Sequence, residues 1–289
     1  MSQPLFCIMS EIAIIKFESQ YFSVKDTLEC GQVFRFLPYK KGFKVYSADK
    51  CCYCYNEGDF AYIECKIEDR EYFYNYFDLD RDYSLIYNGA ISEKVEILTL
   101  SAKLGKGIRI LNQDLTETLF SFIVSQNNNI PRIKGIIEKM CVALGEKKEF
   151  LSEQYFSFPK TEKMVERTEE FYKSIGLGYR AEYIRRLAVE IEKGLDIFAW
   201  KNLSTKELNK KLVSIYGVGR KVADCVSLFG YRKSDAFPVD TWIEKVYRED
   251  FKGTIENREK IAEWFSERFS ERSGYYQQYL FFYKREKEK

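Results

Sequence analysis

Histidine is absent from all 289 residues. That excludes imidazole as a general base, the Ser-His-Asp triad and every metal site that needs an imidazole ligand. Proton transfer must fall to Asp, Glu, Lys, Tyr or Cys. Cysteine is present but ends early: Cys7, Cys30, Cys51, Cys52, Cys54, Cys65, Cys141 and Cys225, with none after Cys225. The Cys51-Cys52-Tyr53-Cys54 group has no second C-x-x-C partner, and neighbours in a strand alternate faces, which speaks against a metal there. Proline is scarce, with five in all, and no low-complexity linker or internal repeat interrupts the chain. A secretory leader and a long apolar run are also lacking, so free thiols in a reducing compartment are expected. The formal charge is only +2. Any contact with a polyanion must therefore come from local basic patches rather than from the overall balance.

What is present is an apolar and aromatic chain. Hydrophobic residues make up 45 %, with 22 Tyr and 23 Phe, enough for a globular core in one large domain or two to three small ones. From about residue 11 to 66 the pattern is strand-like. The run from Ile12 to Phe17 is mostly apolar, Gln32 to Phe36 alternates, Pro38 to Gly42 reads as a turn, and Phe43 to Tyr46 alternates again. Ala61 to Cys65 then follows an Asn56-Glu57-Gly58-Asp59 turn, which completes an antiparallel sheet. After residue 80 the period becomes helical, with stripes at Val95, Leu98, Ala102 and Leu104, at Leu115, Leu119, Phe122 and Ile123, and at Ile133, Ile136, Ile137, Met140 and Leu144. Further helices are expected over 162–172, 180–192, 204–215, 221–229, 241–248 and 258–283, with a solvated, frayed tail from Lys284 onward. The fold class is α+β: an N-terminal antiparallel sheet domain with flanking helices over 1–105, then a larger helical domain over 106–289.

The most informative stretch is 212–240. Ser204-Thr205-Lys206-Glu207 is a capping box that starts a helix with Leu208, Leu212, Val213 and Ile215 on its buried side. Gly217-Val218-Gly219 allows a tight turn with uncovered amides, and a second helix opened by Lys221 buries Val222, Val226 and Phe229. Exposed amides at a helix start form an anion site. A nucleotide loop is excluded, because no strand precedes and G-x-x-x-x-G-K-[ST] is missing. A plain helix–helix turn or a helix-hairpin-helix at 204–230 remain. Pro238-Val239-Asp240 follows, and Asp240 precedes an apolar-periodic helix, so it reads as an N-cap.

Gly217-Val218-Gly219-Arg220-Lys221, with Asp240 nineteen positions after Lys221, resembles the helix-hairpin-helix, Gly/Pro-Asp superfamily of DNA glycosylases, and within it the 8-oxoguanine branch. Ser125-Gln126-Asn127-Asn128-Asn129-Ile130 resembles that branch's S-x-N-N-N-I segment. Gly178-Tyr179-Arg180-Ala181 resembles its G-Y-R-A segment, and Gly31-Gln32-Val33-Phe34-Arg35 its G-Q-x-F-R segment. The resemblance spans about residues 10 to 285. The lack of cysteine beyond Cys225 removes the iron–sulfur cluster that other branches carry, and a lysine at 221 separates the chain from the alkylpurine branch.

The resemblance implies a bifunctional glycosylase and apurinic-site lyase acting on double-stranded DNA that carries 8-oxoguanine opposite cytosine. It implies a monomer with no cofactor, though a monovalent cation at the hairpin is left open. Lys221 would attack C1′ of the flipped nucleotide as the uncharged amine, a form that burial, the helix N-terminus and Arg220 would favour. Asp240 would stabilise developing positive charge on the sugar. Cys225 and Phe281 would sandwich the base, Gln277 would bond its Watson–Crick edge, and the Gly31 carbonyl would accept from the N7 hydrogen that guanine lacks. Asn127 would fill the gap, Tyr179 would wedge the stack, and Arg132 and Arg180 would bond the orphaned partner. Gly217, Val218 and Gly219 would hold a DNA phosphate. Trp242 stands where the family often has histidine, and its indole offers a single N–H donor for the phosphate contact made there.

Two other readings stay open on these residues, a non-catalytic hairpin module and a glycosylase for a ring-opened or alkylated purine. For Lys221, Phe281 and the two arginines, phosphate contact or core packing are the bland alternatives. The Lys/Ile/Tyr-rich, Pro-poor composition suggests the cytoplasm of a bacterium, or the nucleus if the source is eukaryotic.

Overall fold

The structure is a computed structural model that describes residues 11–288; Cys7 lies outside them. Five strands, β1 (Ile12–Glu18), β2 (Phe36–Tyr39), β3 (Gly42–Ser47), β4 (Lys50–Glu57) and β5 (Phe60–Lys66), form an antiparallel sheet in the order β1-β5-β4-β3-β2. The hairpins turn on Lys40, Ala48 and Gly58, all at positive φ. Val45 faces Cys52 and Cys52 faces Cys65 across the register. The alternation expected for the cysteine group is realised: Cys52 and Cys54 enter the core behind the sheet, while Cys51 and Tyr53 pack on its other face against Phe150 and Tyr155. Those two come from a hairpin the sequence pattern did not announce, β6 (Lys147–Phe150) with β7 (Glu153–Phe156).

Helices α1 (Val24–Glu29) and α2 (Arg70–Tyr76) back the sheet, and Phe22, Leu28, Phe73 and Phe77 seal it. The remaining helices share a second, larger core: α3 (Tyr83–Ser92), α4 (Glu96–Leu104), α5 (Leu115–Ser125), α6 (Ile130–Leu144), α7 (Thr161–Val165), α8 (Glu169–Ser174), α9 (Arg180–Glu192), α10 (Thr205–Val213), α11 (Arg220–Phe229), α12 (Thr241–Glu249), α13 (Arg258–Phe269) and α14 (Ser273–Lys287). The α+β arrangement read from the periodicity is therefore what the chain adopts. None of the helices among the described residues is long and apolar enough to cross a membrane.

Four local expectations fail for identifiable reasons. Gln32 to Phe36 is not an alternating strand: all five side chains are buried, and only Phe36 belongs to the sheet. The segment is a seam between the two cores. Gln32 donates to the carbonyls of Thr27 and Arg109 and accepts from the Leu111 amide, while Arg35 pairs with Glu117 at 3.0 Å and donates to the Phe156 carbonyl. Position 162–172 breaks into two helices because Thr168 caps the second, accepting from the Phe171 amide. The stretch 258–283 breaks at Ser270, which takes a φ of 49°. Lastly, the tail is not frayed at its start: α14 continues through Lys287, with Lys284 against Glu249 and Asp250 and Arg285 buried.

Candidate active site

The capping box forms as expected. Ser204 Oγ accepts from the Glu207 amide and Glu207 Oε2 accepts from the Ser204 amide. Leu208, Leu212 and Ile215 are buried, but Val213 is 45 % exposed and does not belong to the stripe. The turn that follows gives its two glycines different reasons to be there. Gly217 has a φ of 86°, and a Cβ on it would sit 2.3 Å from the Tyr183 ring. Gly219 has an ordinary φ of −86°, caps the start of α11, and faces open space where a Cβ would go. No side chain caps α11, so its first amides point outward in the manner of an anion site.

The first turn of α11 carries Lys221 into a pocket lined also by Gly31, Phe122, Cys225, Phe229, Pro238, Asp240, Gln277, Gln278 and Phe281. Every residue expected around the lesion base is therefore in one place, drawn from the end of α1, from α11, from the start of α12 and from α14. The cavity is about 50 Å³, several times what one water molecule needs but narrow for a purine. Lys221 Nζ stands 5.4 Å over the Phe122 ring. Cys225 is one turn further along; burial pushes its thiol up to about 11 against the pull of the Lys221 charge, so the sulfur is neutral at pH 7. Asp240 is the N-cap of α12, and its Oδ1 accepts from the amides of Trp242 and Ile243, both at 3.0 Å. Burial raises its carboxyl, opposed by the Ile243 amide and by Lys221. Gln277 is buried, donates to the Pro238 carbonyl and accepts from Gln278, which fixes its amide.

Arg220 does not stand beside the lysine as a free cation. Its Nε donates to the buried Asp224, and its Nη1 to Glu259 at 2.6 Å. Both its neighbours are acids, so its charge is taken up away from Lys221. Asp224 in turn accepts from Asn209, and Asn209 from Ser227, which locks α10 to α11.

A second group gathers where α5 ends. Asn127 is exposed and left-handed, with φ 45°. Asn129 caps α6 by accepting from the Arg132 amide, and Asn128 bonds the Val124 carbonyl, so both are turn residues. Arg132 is exposed and reaches the Gly176 carbonyl at 3.3 Å. Tyr179 is 51 % exposed at the start of α9. Arg180 differs from a free contact residue: it is 3 % exposed and donates to the carbonyls of Leu177, Gln126 and Asn127. Trp242 lies just inside α12, its ring 5.0 Å from Lys245 Nζ.

The periodicity gave Phe122 only a packing place, and it did not single out Gln126 or Arg285. Gln126 lies inside the Ser125–Ile130 motif but carries no charge to mark it. Arg285 falls one helical turn after Phe281, which was the available signal.

Comparison with known proteins agrees along most of the chain. Residues 14–119 match the family model of the 8-oxoguanine DNA glycosylase N-terminal domain, and residues 120–271 that of the HhH-GPD superfamily base excision DNA repair proteins. A probable N-glycosylase/DNA lyase of Methanothermobacter thermautotrophicus is 30 % identical over 225 residues, covering 71 % of each chain. The N-glycosylase/DNA lyase of Saccharomyces cerevisiae is 36 % identical over 159 residues, 50 % of this chain and 42 % of that one. Among solved structures, MBOgg1 in complex with a low-affinity DNA ligand superposes with a TM-score of 0.91 at 35 % identity, covering 97 % of this chain and 98 % of its own. The 8-oxoguanine glycosylase/lyase of Clostridium acetobutylicum, bound to double-stranded DNA with cytosine opposite 8-oxoG, gives 0.89 at 34 %, covering 96 % and 99 %. With both halves matched and the lysine and aspartate of the hairpin motif meeting in one pocket, the chain belongs to the 8-oxoguanine DNA glycosylases of the HhH-GPD superfamily.

Proposed function

We propose that this chain removes 8-oxoguanine from duplex DNA and then nicks the strand, with Lys221 as nucleophile. The observation that carries the reading is the convergence of Lys221 and Asp240 on the pocket formed by Gly31, Cys225, Gln277 and Phe281. The hairpin amides take a phosphate, and the damaged nucleotide turns out of the stack at a cost of a few kcal/mol. The base enters between Cys225 and Phe281, whose walls part to admit it. The Gly31 carbonyl accepts from the N7 hydrogen of the lesion; unmodified guanine presents a lone pair there and leaves the carbonyl unpaired, a penalty of about 1–3 kcal/mol. Gln277, already oriented by Pro238 and Gln278, meets the Watson–Crick edge.

Lys221 Nζ bonds to C1′ through its lone pair as the C1′–N9 bond breaks, and the proton the nitrogen gives up leaves with the base. Asp240 stabilises the positive charge that develops on the sugar. The lysine adduct opens to a Schiff base, a proton leaves C2′, and the C3′–O bond breaks to expel the 3′ phosphate. Side chains and backbone groups of one chain carry each proposed step, which is the reading of a monomer acting without a cofactor. Asn127 fills the vacated stack, Tyr179 enters from the other strand, and Arg132 with the carbonyls organised by Arg180 favours cytosine as the orphan. Its place in the cell is that of the chromosome: the cytoplasm of a bacterium, or the nucleus of a eukaryote.

Borohydride trapping tests this directly. Wild type mixed with an 8-oxoguanine:cytosine duplex should give a reduced covalent adduct that migrates slowly in a denaturing gel, and Lys221→Gln should give none. An adduct with Lys221→Gln removes the lysine's role. A wild type that prefers an alkylated or ring-opened purine in a competition among defined duplexes removes the assigned lesion.

A further inference from the structure

Arg285 joins two walls of the pocket from behind. It lies on α14 one turn beyond Phe281 and is 9 % exposed. Its Nη2 donates to the carbonyl of Glu29 at 2.6 Å, across 256 positions of chain, and to Glu286 at 3.1 Å. Its guanidinium carbon is 5.4 Å from the centre of the Phe281 ring. A methyl group on Gly31 would stand 3.1 Å from Phe281 Cε1 and 3.3 Å from Arg285 Nη1. Gly31, Phe281 and Arg285 therefore make one packed corner, and the left-handed Gly31, at φ 89°, leaves no slack for a side chain there.

The guanidinium is not fully satisfied. Nε and Nη1 are buried without a hydrogen-bond partner, which is unfavourable for a charged group. A methionine of similar reach would pack in the corner without that penalty. What it would lack is the bond to Glu29, whose carbonyl ends α1 and precedes Gly31 by two residues. A cation is also the favoured partner for the carbonyl end of a helix.

We infer that Arg285 is a positioning residue for base selection: by pinning the Glu29 carbonyl it sets the height of the Gly31 carbonyl against Phe281, and with it the fit of 8-oxoguanine. The inference rests on the proposed function. Arg285 is absent from the pocket lining and acts through Gly31 and Phe281 alone. Nicking at a preformed abasic site needs Lys221 and the hairpin but places no base in the pocket, so the two activities separate base fit from everything else.

The experiment compares wild type, Arg285→Met and Arg285→Lys in single-turnover excision of 8-oxoguanine and in nicking of an abasic duplex, with melting curves for all three. Arg285→Met should slow excision by about ten- to a hundredfold, the scale of a small misplacement of reacting groups, and leave abasic nicking at the wild-type rate. Arg285→Lys, which keeps a donor for Glu29, should recover part of the loss. Excision by Arg285→Met at the wild-type rate overturns the role, and so does a loss of nicking in proportion to excision. A wild type that leaves 8-oxoguanine in place removes the functional reading, and this inference with it.

Discussion

Gln126 Nε2 donates to the carbonyl of Gly217 at 2.9 Å, and the carbonyl of Gln126 is held by Arg180 Nε at 2.8 Å. The turn that carries Asn127 and the hairpin that carries Lys221 are thereby fastened to each other and to the start of α9. Replacing Gln126 with Met should cost about 1 kcal/mol of stability, the worth of one such bond. Its larger effect should be on affinity for an abasic-site duplex, because the hairpin and the gap-filling turn would no longer arrive together. Equilibrium binding beside a denaturant titration checks this; unchanged affinity would show the two loops to be independent.

The two hairpin glycines should separate stability from DNA contact. Gly217→Ala forces a side chain into left-handed backbone, at about 1–2 kcal/mol, and drives its Cβ into Tyr183. Gly219→Ala meets nothing within the protein and should lower stability by only about 0.5–1 kcal/mol, as a poorer N-cap. It should nonetheless weaken binding to undamaged duplex, since the methyl group occupies the phosphate's approach. If Gly219→Ala binds duplex like wild type, the phosphate does not sit there.

Asp240 predicts a distinctive pH response. Burial raises its carboxyl, so the folded protein holds that proton to a higher pH than the unfolded chain does. Its contribution to stability is therefore full below the ordinary carboxylate range and is lost as pH rises through the folded-state value. Activity needs the ionised form and should fall as the pH is lowered, with a midpoint above that of an ordinary aspartate. Asp240→Asn keeps an N-cap and removes the buried charge. It should melt at or above the wild-type temperature at neutral pH while losing about 10²–10⁴-fold in rate. A pH–rate profile with parallel melts decides it, and full activity in Asp240→Asn leaves the cap as the residue's only task.

Arg35 and Glu117 close the seam between the two cores, with side chains 3 % and 9 % exposed. Glu117 also accepts from the Ala48 amide at 2.7 Å, so it holds both the segment before β2 and the β3–β4 turn. Arg35→Met strands a buried carboxylate and should destabilise by about 3–5 kcal/mol, measured by denaturant unfolding. The double variant Arg35→Met with Glu117→Leu should recover much of that, because no charge is then left uncompensated.

Most of the helical half could be read along the chain because its signals are local. The Ser204–Glu207 box, the Asp240 cap and the stripe on α11 are each written within about one or two turns, and each formed where the pattern put it. The segment from Gln32 to Phe36 misled for the complementary reason. Alternation signals a strand with one wet face, but this segment is dry on all sides and its polar groups find partners at Thr27, Arg109 and Glu117. Arg180 is a similar case: a charged residue in a motif suggests a ligand contact, yet three backbone carbonyls had already taken its guanidinium.

The sequence by itself determined the helix-hairpin-helix, its capping, the spacing of Lys221 from Asp240 and the chemistry left to a chain without histidine, since all of these depend on neighbours in sequence or on composition. Tertiary structure alone decided that Gly31, just after α1, would meet Phe281 and Arg285, from the last helix, and that Gln126 would tie the gap-filling turn to the hairpin. Contacts across such separations are set by how two cores pack and where buried polar groups find partners, and no local pattern records either.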